Sequence, residues 1–441
     1  MGQTESSTEN FQKLQQQQQK QLIPGLPDEI AMDCLVRVPY KFHSNMKLVC
    51  QSWRSLIMHP SFYQERCRSG TAEHMVCMIQ PLPTPSPPPI TESSASDELS
   101  SEKEEGVDEK SCSRPSLVQH GLTIFNATHQ TWHRMMRPSG AGGSLRIPMF
   151  CQCVALPASG KILLLGGWDP NTLEPVPDVY VLDLIGAGGA RWRRAAPMSV
   201  ARSFFACGVV GQSTVYVAGG HDYQKNALQS AEVYDANADE WRTLPAMAEE
   251  RDECQGISWE GDSRFWVFSG YSTDSQGFFR SDAECYDPIT ESWSKIEGVW
   301  PYRSVSPRGV TAAVTSSSGC QWWWFLGSQQ QQEENGGGKE LSHNNSQMMW
   351  KVVDSAQIPS GINGGTPISV TALGHAKDQQ PQRIFVMTSN GGGRGDGTEE
   401  GAFILERESS NSNGGSPTKW NNVTTPAGFS GFPYSNSCLI I

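Results

Sequence analysis

The feature that most constrains the fold is a repeated pairing of a glycine-containing turn with a later tryptophan. At four places a Gly-Gly or similar pair is followed 21 to 25 residues later by Trp. The pairs are Gly166-Gly167, Gly219-Gly220, Ser269-Gly270 and Leu326-Gly327, and the tryptophans are Trp192, Trp241, Trp293 and Trp350. A period of about 50 residues indicates that one supersecondary unit is used several times. Such units bury their apolar faces by stacking on one another.

The segments between these markers have the character of short strands. Residues 161–165, 214–218, 264–268 and 383–387 are rich in β-branched and aromatic types and are bounded by turn residues. The chain has 43 Gly and 28 Pro, too many for a helical bundle and without a collagen-like period. Short, numerous strands indicate a sandwich, a barrel or a propeller, and the repeat favours the propeller.

The repeat resembles the kelch repeat, in which a Gly pair ends the second strand and Trp lies on the outer strand of a four-stranded blade. The resemblance implies a mainly β fold, a kelch β-propeller of six blades over residues 71–441. Residues 74–79 and 435–441 both read as strands. We expect them to share one blade, because pairing the first and last strands closes the ring and removes free sheet edges.

A different pattern occupies residues 22–70, where apolar residues recur at helical spacing. Leu26-Pro27-Asp28-Glu29 begins a helix with acids in its first turn, which the helix dipole favours. Two further helical stretches follow Pro39 and end around Trp53-Arg54. The order and spacing resemble the F-box, a small three-helix module, with a departure at residues 42–46, where many F-boxes carry an Asp-Leu pair.

The F-box resemblance implies a protein partner. It implies binding to the adaptor Skp1 and, through it, to a cullin–RING ubiquitin ligase. The alternative for some contact residues, Trp53 above all, is the core of the module itself. The residues to which the Skp1-binding role carries over are Leu26, Pro27, Ile30, Leu35, Val49, Cys50 and Trp53.

Three polar segments precede or interrupt the folded modules. Residues 1–21 are Gln-rich and have too little apolar surface to fold. Residues 81–116 form a Pro/Ser-rich acidic insertion with eight acids against three bases, which predicts disorder. A second, polar insertion spans residues 328–347. If the ring closes as expected, the acidic insertion is a loop inside the closing blade.

Charge and cysteine content exclude several classes of function. A net charge of −12 argues against nucleic acid or an anionic membrane as partner. The polar N-terminus does not resemble a secretory signal, so we expect a cytoplasmic, or alternatively nuclear, protein whose 12 Cys are reduced. Only Cys151 and Cys153 lie close in sequence, and their spacing is not that of a zinc site. We therefore expect no metal, no cofactor and no catalysis, in contrast to copper- or iron-dependent enzymes built on kelch propellers.

Several peptides narrow the resemblance further. Arg202-Ser-Phe-Phe-Ala-Cys, Gly219-Gly-His-Asp and Glu250-Arg-Asp-Glu-Cys resemble a plant subgroup of kelch F-box proteins. That subgroup targets phenylalanine ammonia-lyase for ubiquitination and so restrains phenylpropanoid synthesis. Close relatives are linked to type-B response regulators of cytokinin signalling. The resemblance implies a non-catalytic substrate receptor, and the alternative is a kelch scaffold outside any ligase.

Candidate substrate contacts follow from the repeat. Arg202 and Arg251 begin equivalent strands, so we expect them near one rim, where guanidinium groups pair with substrate carboxylates. The alternative is a structural salt bridge, for example to Asp252 or Glu253. Loops of a rigid scaffold often carry function. The loop residues that follow the Gly pairs and join this candidate site are His221, Asp222 and Tyr271.

Overall fold

The computed structural model describes most of the two expected modules. The described residues are 21–83, 119–135, 139–140, 143–144, 146–156, 159–186, 190–258, 261–309, 311–316, 319–324, 339–344, 347–352, 367–374, 382–393, 398–407 and 418–441. The predictions for the Gln-rich tail and for nearly all of the acidic insertion lie outside the described residues. In the described ranges, no helix has the length and apolarity that crossing a bilayer requires.

The N-terminal module has four α-helices, one more than the sequence predicts. They are α1 (Asp28–Val36), α2 (His43–Val49), α3 (Gln51–Met58) and α4 (Pro60–Ser69), with a 3-10 turn at Tyr40–Phe42. The additional helix α4 begins at Pro60, whose ring suits the first helical position. The His59 side chain accepts a hydrogen bond from the Ser61 amide, and left-handed Gly70 ends the helix.

The remaining described residues form β-strands and the loops between them, with a 3-10 turn at Thr273–Ser275. The strands are β1 (His74–Pro81), β2 (His120–Asn126), β3 (Thr131–Arg134), β4 (Ser139–Gly140), β5 (Gly143–Ser144), β6 (Gln152–Leu156), β7 (Lys161–Leu165), β8 (Val179–Asp183), β9 (Arg191–Ala195), β10 (Ala206–Val210), β11 (Thr214–Ala218), β12 (Ala231–Asp235), β13 (Glu240–Leu244), β14 (Gln255–Ile257), β15 (Phe265–Phe268), β16 (Ala283–Asp287), β17 (Ser292–Ile296), β18 (Thr311–Ser316), β19 (Gly319–Trp324), β20 (Lys339–Asn344), β21 (Gln347–Val352), β22 (Ile368–Ala372), β23 (Gln382–Gly393), β24 (Thr398–Arg407), β25 (Thr418–Pro426) and β26 (Ser435–Ile440). Strand β20 lies inside the polar insertion 328–347 predicted from the sequence, so part of that segment pairs in a sheet. Its polar sequence lacks the apolar run that marks the other strands.

These strands form antiparallel four-stranded sheets that follow one another along the chain. In the described ranges, five sheets each use four consecutive strands, from β6–β9 to β22–β25, and β4 pairs only with β5. A further four-stranded sheet has the order β26-β1-β2-β3. The inner strands of neighbouring sheets contact one another, with β6 between β26 and β10 and β22 between β18 and β26. The fold is thus a mainly β kelch propeller preceded by the F-box helices.

The closing sheet joins the two ends of the propeller. Met75 of β1 lies opposite Leu439 of β26, and the backbones of Glu73 and Ile441 exchange two hydrogen bonds at 2.7 and 3.0 Å. The prediction that residues 74–79 and 435–441 share one sheet is confirmed. Strand β1, which follows the F-box directly, is thereby paired on both edges and has no free edge of its own.

The repeated Gly and Trp have distinct structural roles. Gly220 has φ +83, and a Cβ there would lie 2.3 Å from the carbonyl oxygen of Ser203, so a side chain would collide with backbone. Two of the outer-strand tryptophans bond to the preceding sheet. Trp241 Nε1 donates to Ala196 O and Trp293 Nε1 donates to Pro245 O, both at 2.8 Å. The repeat is therefore maintained by close backbone packing at one end and by indole hydrogen bonds between sheets.

Candidate functional site

The F-box presents an exposed apolar surface on α1 and α2. Ile30 is 54% exposed, Leu48 76% and Val49 62%, and Phe42 in the 3-10 turn is exposed as well. Several large apolar side chains exposed on one small module indicate an interaction surface rather than a folding requirement. We call Ile30, Phe42, Leu48 and Val49 the F-box face.

The residues predicted to contact the adaptor differ in how exposed their side chains are. Pro27, Ile30, Val49 and Cys50 are exposed, and Leu26 is half-buried. Leu35 is only 2% exposed and belongs to the core, so its assignment to the partner surface is wrong. It lies on the inner side of α1 with Ala31, four residues earlier, whereas Ile30 lies on the outer side.

Trp53 fits the alternative interpretation, that of a core residue of the F-box. Its Nε1 donates to Leu22 O at 2.6 Å, and its ring packs against the buried cluster. Sequence reasoning missed Phe42 and Leu48, although both flank residues already singled out. Exposure, which the spacing alone does not reveal, separates these two residues from their buried neighbours.

The F-box and the propeller share one apolar core. Leu35, Met46 and Phe62 belong to the same buried cluster as Met75 of β1 and Leu439 of β26. Burial of continuous apolar surface stabilises both modules together. The F-box is therefore packed on the propeller rather than tethered to it.

Polar contacts fix the same junction. Lys47 Nζ donates to Ile185 O at 2.7 Å and to Gly186 O at 2.9 Å, in the loop after β8. Burial lowers the pKa of Lys47. Arg66 pairs with buried Glu73 at 3.1 Å, and Glu73 also accepts from Asn126 Nδ2 at 2.6 Å. These contacts use the loops that follow β8 and β2.

The strand order places the F-box at one end of the sheets. Antiparallel strands alternate in direction, so the loops after β2 and β8 lie at the end opposite to the start of the inner strands. We call the end at which β6, β10, β14 and β26 begin the mouth. The loops between β7 and β8 and between β11 and β12 also lie there. The F-box and the mouth are thus at opposite ends of the propeller.

Arg202 and Arg251 do not line the mouth, and their assignment as substrate contacts is corrected. Both are 0% exposed. Arg202 pairs with Glu232 at 2.9 Å, and Arg251 pairs with Glu284 at 3.1 Å and with Asp282. The interpretation as structural salt bridges is confirmed, although the partners differ from Asp252 and Glu253.

The reason lies in the third strand of each sheet. Each arginine side chain turns back across its sheet to an acid in an Ala-Glu pair, Ala231-Glu232 on β12 or Ala283-Glu284 on β16. Burial opposes ionisation of Asp282, but Arg251 together with Arg280 and Lys295 holds the pKa of that carboxyl below its usual value. The repeated Ala-Glu pair is a signal that would have identified these ion pairs from the sequence.

His221 and Tyr271 lie in the wall of the mouth, both nearly buried. His221 Nδ1 is 2.9 Å from both carboxylate oxygens of Asp252, and Trp168 Nε1 donates to His221 Nε2 at 3.2 Å. The Tyr271 hydroxyl donates to Glu253 Oε1 at 3.2 Å. These partners fix both rings, so His221 and Tyr271 shape the wall.

Asp222 has a local role in the loop between β11 and β12. Its Oδ1 accepts the backbone N–H of Gln224 at 2.8 Å and of Asn226 at 2.9 Å. This is the usual way in which Asp stabilises a turn. The carboxylate therefore holds the loop that carries Lys225, whose ammonium lies 3.2 Å from the centroid of the Trp168 ring.

The mouth contains a chain of aromatic rings that sequence reasoning did not predict. Phe150 lies 4.8 Å from Phe204 and 4.7 Å from Tyr434, measured between ring centroids. Trp168 lies 5.4 Å from Phe150. Phe204 lies in the Arg202-Ser-Phe-Phe-Ala-Cys peptide, but the sequence analysis predicted only the arginine of that peptide as a contact.

Arg308 is a cation in the mouth that bridges the sheets beginning with β10 and β14. Its Nη1 donates to Phe205 O and to Cys254 O, both at 3.0 Å, and its guanidinium lies 5.3 Å from the Phe204 ring centroid. Burial lowers the pKa of Arg308. Sequence reasoning found it only as a weak member of the arginine repeat, whereas the two strong members are structural.

The arrangement of these side chains at the two ends of the molecule is suited to binding other molecules. Within the described residues, no group of three or more His, Cys, Asp or Glu is placed to hold a metal ion. The molecule has an apolar face on the F-box at one end and an aromatic, cationic mouth at the other.

Comparison with known proteins agrees with this arrangement. Residues 23–65 match the F-box domain, and residues 201–248 match the Kelch motif. The chain is 45% identical to the F-box/kelch-repeat protein SKIP20 of Arabidopsis thaliana over 435 residues, covering 95% of this chain and 97% of that protein. It is 43% identical to F-box/kelch-repeat protein At2g44130 of the same plant over 427 residues, covering 96% and 97%. The chain therefore belongs to the family of F-box/kelch-repeat proteins.

Proposed function

We propose that this protein is the substrate receptor of a Skp1–cullin–F-box ubiquitin ligase. The observation that carries the proposal is the F-box face, an exposed apolar surface on a module that belongs to the F-box family. In this proposal the face binds a Skp1-type adaptor, and the propeller binds the protein to be ubiquitinated. The protein itself performs no bond chemistry, and it acts in the cytoplasm or the nucleus.

The shared core supports this mechanism. Binding two partners at fixed positions raises the effective concentration of one for the other. The junction of Lys47 with the loop after β8, and of Arg66 with Glu73, holds the F-box in one orientation on the propeller. A target bound at the mouth is then presented at a constant distance from the ligase.

The target that we propose is phenylalanine ammonia-lyase, so that the receptor restrains phenylpropanoid synthesis. The support is the resemblance of the Arg202, Gly219 and Glu250 peptides to that subgroup. Type-B response regulators are the alternative target. A kelch scaffold outside any ligase is the alternative function, and adaptor binding separates the two functions.

The test begins with purified full-length protein and a Skp1-type adaptor. Val49→Asp places a charge in the F-box face, and we expect adaptor binding to weaken by about a hundredfold, the usual loss at a central interface residue. Ile289→Asp is the matched control, because Ile289 is as exposed but lies in the turn between β16 and β17. Failure of the unaltered protein to bind the adaptor would overturn the proposal.

A second stage identifies the target. The receptor, adaptor, cullin and RING subunits are combined with E1, E2 and ubiquitin, and phenylalanine ammonia-lyase is compared with a type-B response regulator. Ubiquitination of the lyase that requires the receptor and is lost with Val49→Asp is the expected result. Modification of the response regulator alone would replace the proposed target and leave the receptor function in place.

A further inference from the structure

The mouth is built from positions that are equivalent in successive sheets. Isolated backbone bridges join Met149 to Trp168, Ser203 to His221 and Asp252 to Tyr271. The residues that follow the first member of each bridge are therefore equivalent, namely Phe150, Phe204 and Glu253. Two successive sheets thus contribute a phenylalanine at a position where the third contributes a carboxylate.

The backbone at these positions is in the left-handed region. Phe150 has φ +56, Phe204 has φ +54 and Glu253 has φ +50. For a residue with a bulky side chain this conformation costs on the order of 1 kcal/mol or more, whereas glycine adopts it freely. Phenylalanine therefore does not stabilise the backbone conformation at these positions. Backbone strain of this kind is typical of binding sites.

The aromatic surface is only partly covered. Phe150, Trp168 and Phe204 are half-buried, and Tyr434 is exposed. Their rings contact one another in series, so the exposed parts form one continuous apolar area rather than isolated residues. A continuous area of this kind marks a site for an apolar group. We call these four residues the aromatic surface.

Two cations border this surface. Arg308 lies against Phe204, and Lys225 lies over Trp168. Neither forms a direct ion pair with a carboxylate in the described part of the chain. Asp252 and Glu253 act on Arg308, and Asp252 acts on Lys225, so their charges offset part of the pKa decrease that burial causes. Backbone carbonyls hold Arg308 in place without neutralising its charge. A carboxylate on a ligand would complete the guanidinium's interactions.

His120 is a buried polar neighbour of the aromatic surface. It is 5% exposed, its ring lies 5.1 Å from that of Tyr434, and both ring nitrogens lack a hydrogen-bond partner among the described residues. Burial lowers the pKa of His120, which keeps the ring neutral. A buried polar group without a partner is costly, and because neither ring nitrogen is accessible from outside, His120 is not assigned to the ligand-binding surface.

We propose that the mouth binds a short protein segment in which a large apolar or aromatic side chain is adjacent to a carboxylate. The apolar side chain packs on the aromatic surface, and the carboxylate pairs with Arg308. The inference rests on the proposed function, because it names the feature by which a target is chosen. A nucleic acid is less favoured, since Glu253 at the mouth and the net charge of −12 repel phosphate.

The test measures the preference of the full-length protein, in complex with a Skp1-type adaptor, for defined peptides. Capped peptides of Gly and Ser carry a central Phe-Glu, Leu-Glu, Ala-Glu, Phe-Gln or Phe-Lys pair. We expect Phe-Glu and Leu-Glu to bind about tenfold more tightly than Ala-Glu and Phe-Lys, as for one buried anchor or one charge-assisted pair. Equal binding of all the peptides, no binding of any, or tighter binding of a single-stranded RNA would overturn the inference.

Three variants separate the parts of the site. Phe204→Gly removes a ring and relieves the left-handed strain, so peptide binding is lost while the melting temperature stays near that of the unaltered protein. Phe150→Gly repeats this test at the equivalent position. Arg308→Gln should remove the preference for Phe-Glu over Phe-Gln and keep that for Phe-Glu over Ala-Glu. The controls are Ile289→Gly and Arg242→Gln, which are exposed and remote from the mouth.

The adaptor provides the remaining control. Adaptor binding should be unchanged in all mouth variants, since the F-box lies at the opposite end. If the adaptor binds but the variants leave the peptide preference intact, the mouth inference fails and the receptor function stands. If the adaptor does not bind the unaltered protein, the receptor function fails whatever the peptides show.

Discussion

Arg202 and Glu232 form an ion pair of 2.9 Å in which neither side chain has appreciable contact with water. Glu232 also accepts the backbone N–H groups of Ser199 and Val200, in the segment that leads to β10. Arg251 and Glu284 repeat the arrangement in the next sheet, where Glu284 accepts from Ala248 and Glu249. Each pair thus joins the segment between two sheets to the third strand of the second sheet.

The first prediction concerns this pair. Arg202→Ala leaves Glu232 buried without its counter-charge, and we expect a loss of about 3–5 kcal/mol in the free energy of unfolding. Arg242→Ala is the matched control, because its partner Glu291 is exposed, and we expect a loss of less than about 1 kcal/mol. Urea unfolding of the two variants measures both values.

This comparison also decides what Arg202 does. An Arg202→Ala variant that unfolds at the same urea concentration as the unaltered protein, yet fails to bind its target, would restore the sequence-based assignment of Arg202 to the substrate site. A large loss of stability supports the structural role.

The second prediction concerns pH. His43 is buried in the F-box, where burial and then the charge of Arg66 lower its pKa to about 4. The unfolded chain binds a proton at this residue near pH 6.5, so it binds more protons than the folded protein between these values. Stability is therefore highest above pH 6.5 and falls as the pH decreases to 4, by up to about 3 kcal/mol from this residue.

Urea unfolding at a series of pH values between 4 and 7.5 tests this expectation. His43→Gln keeps a donor for Val38 O, which His43 Nε2 contacts at 3.0 Å, and should flatten the dependence. His59→Gln, at an exposed position, is the control and should retain it. An unchanged slope in His43→Gln would show that another group causes the loss.

The third prediction separates the core of the F-box from its binding face. Leu35→Ala removes a fully buried side chain, and we expect it to lower the free energy of unfolding by about 2–5 kcal/mol. Leu48→Ala should change stability by less than about 0.5 kcal/mol, because the side chain is exposed, and should weaken adaptor binding instead. Thermal unfolding and adaptor titration of both variants test the distinction. The opposite order of effects would show that Leu35 is a contact after all.

The fourth prediction concerns the junction of the two modules. Lys47→Met leaves the carbonyls of Ile185 and Gly186 without their donor, at a cost of about 1–3 kcal/mol. We expect the F-box to detach before the propeller unfolds, so that calorimetry resolves two transitions and a protease cleaves between Ser69 and Glu73. Lys41→Met, at an exposed lysine, should leave a single transition.

The features that depend on backbone geometry could be predicted from the sequence. Gly220 is needed because backbone approaches it closely, and Trp241 bonds to the preceding sheet, so both recur at fixed spacing and reveal the propeller. The closing pair of β1 and β26 was likewise predicted, because two terminal strands remained without partners. Such constraints act on single positions and are visible in one chain.

The features that escaped prediction depend on residues brought together by folding. The direction of the Arg202 side chain is set by Glu232, two strands away, and the exposure of Leu48 is set by how α2 packs on the propeller. The aromatic surface combines Phe150, Trp168, Phe204 and Tyr434 from loops of different sheets. The exposure of Leu48 and the grouping of the aromatic rings have no fixed spacing along the chain, and the Arg202–Glu232 pair is visible only when the repeated Ala-Glu pairs are aligned with the arginines. The candidate site was therefore predicted less well than the fold.

The pairing of β26 with β1 has a consequence for synthesis of the protein. The F-box helices leave the ribosome first, but the cluster on which they pack includes Leu439 and Ile441, which leave it more than 350 residues later. Contacts so distant along the chain form slowly. The nascent chain must therefore keep the helices and β1 incompletely packed until β26 emerges, and an interrupted translation product would lack the completed core on which the F-box rests.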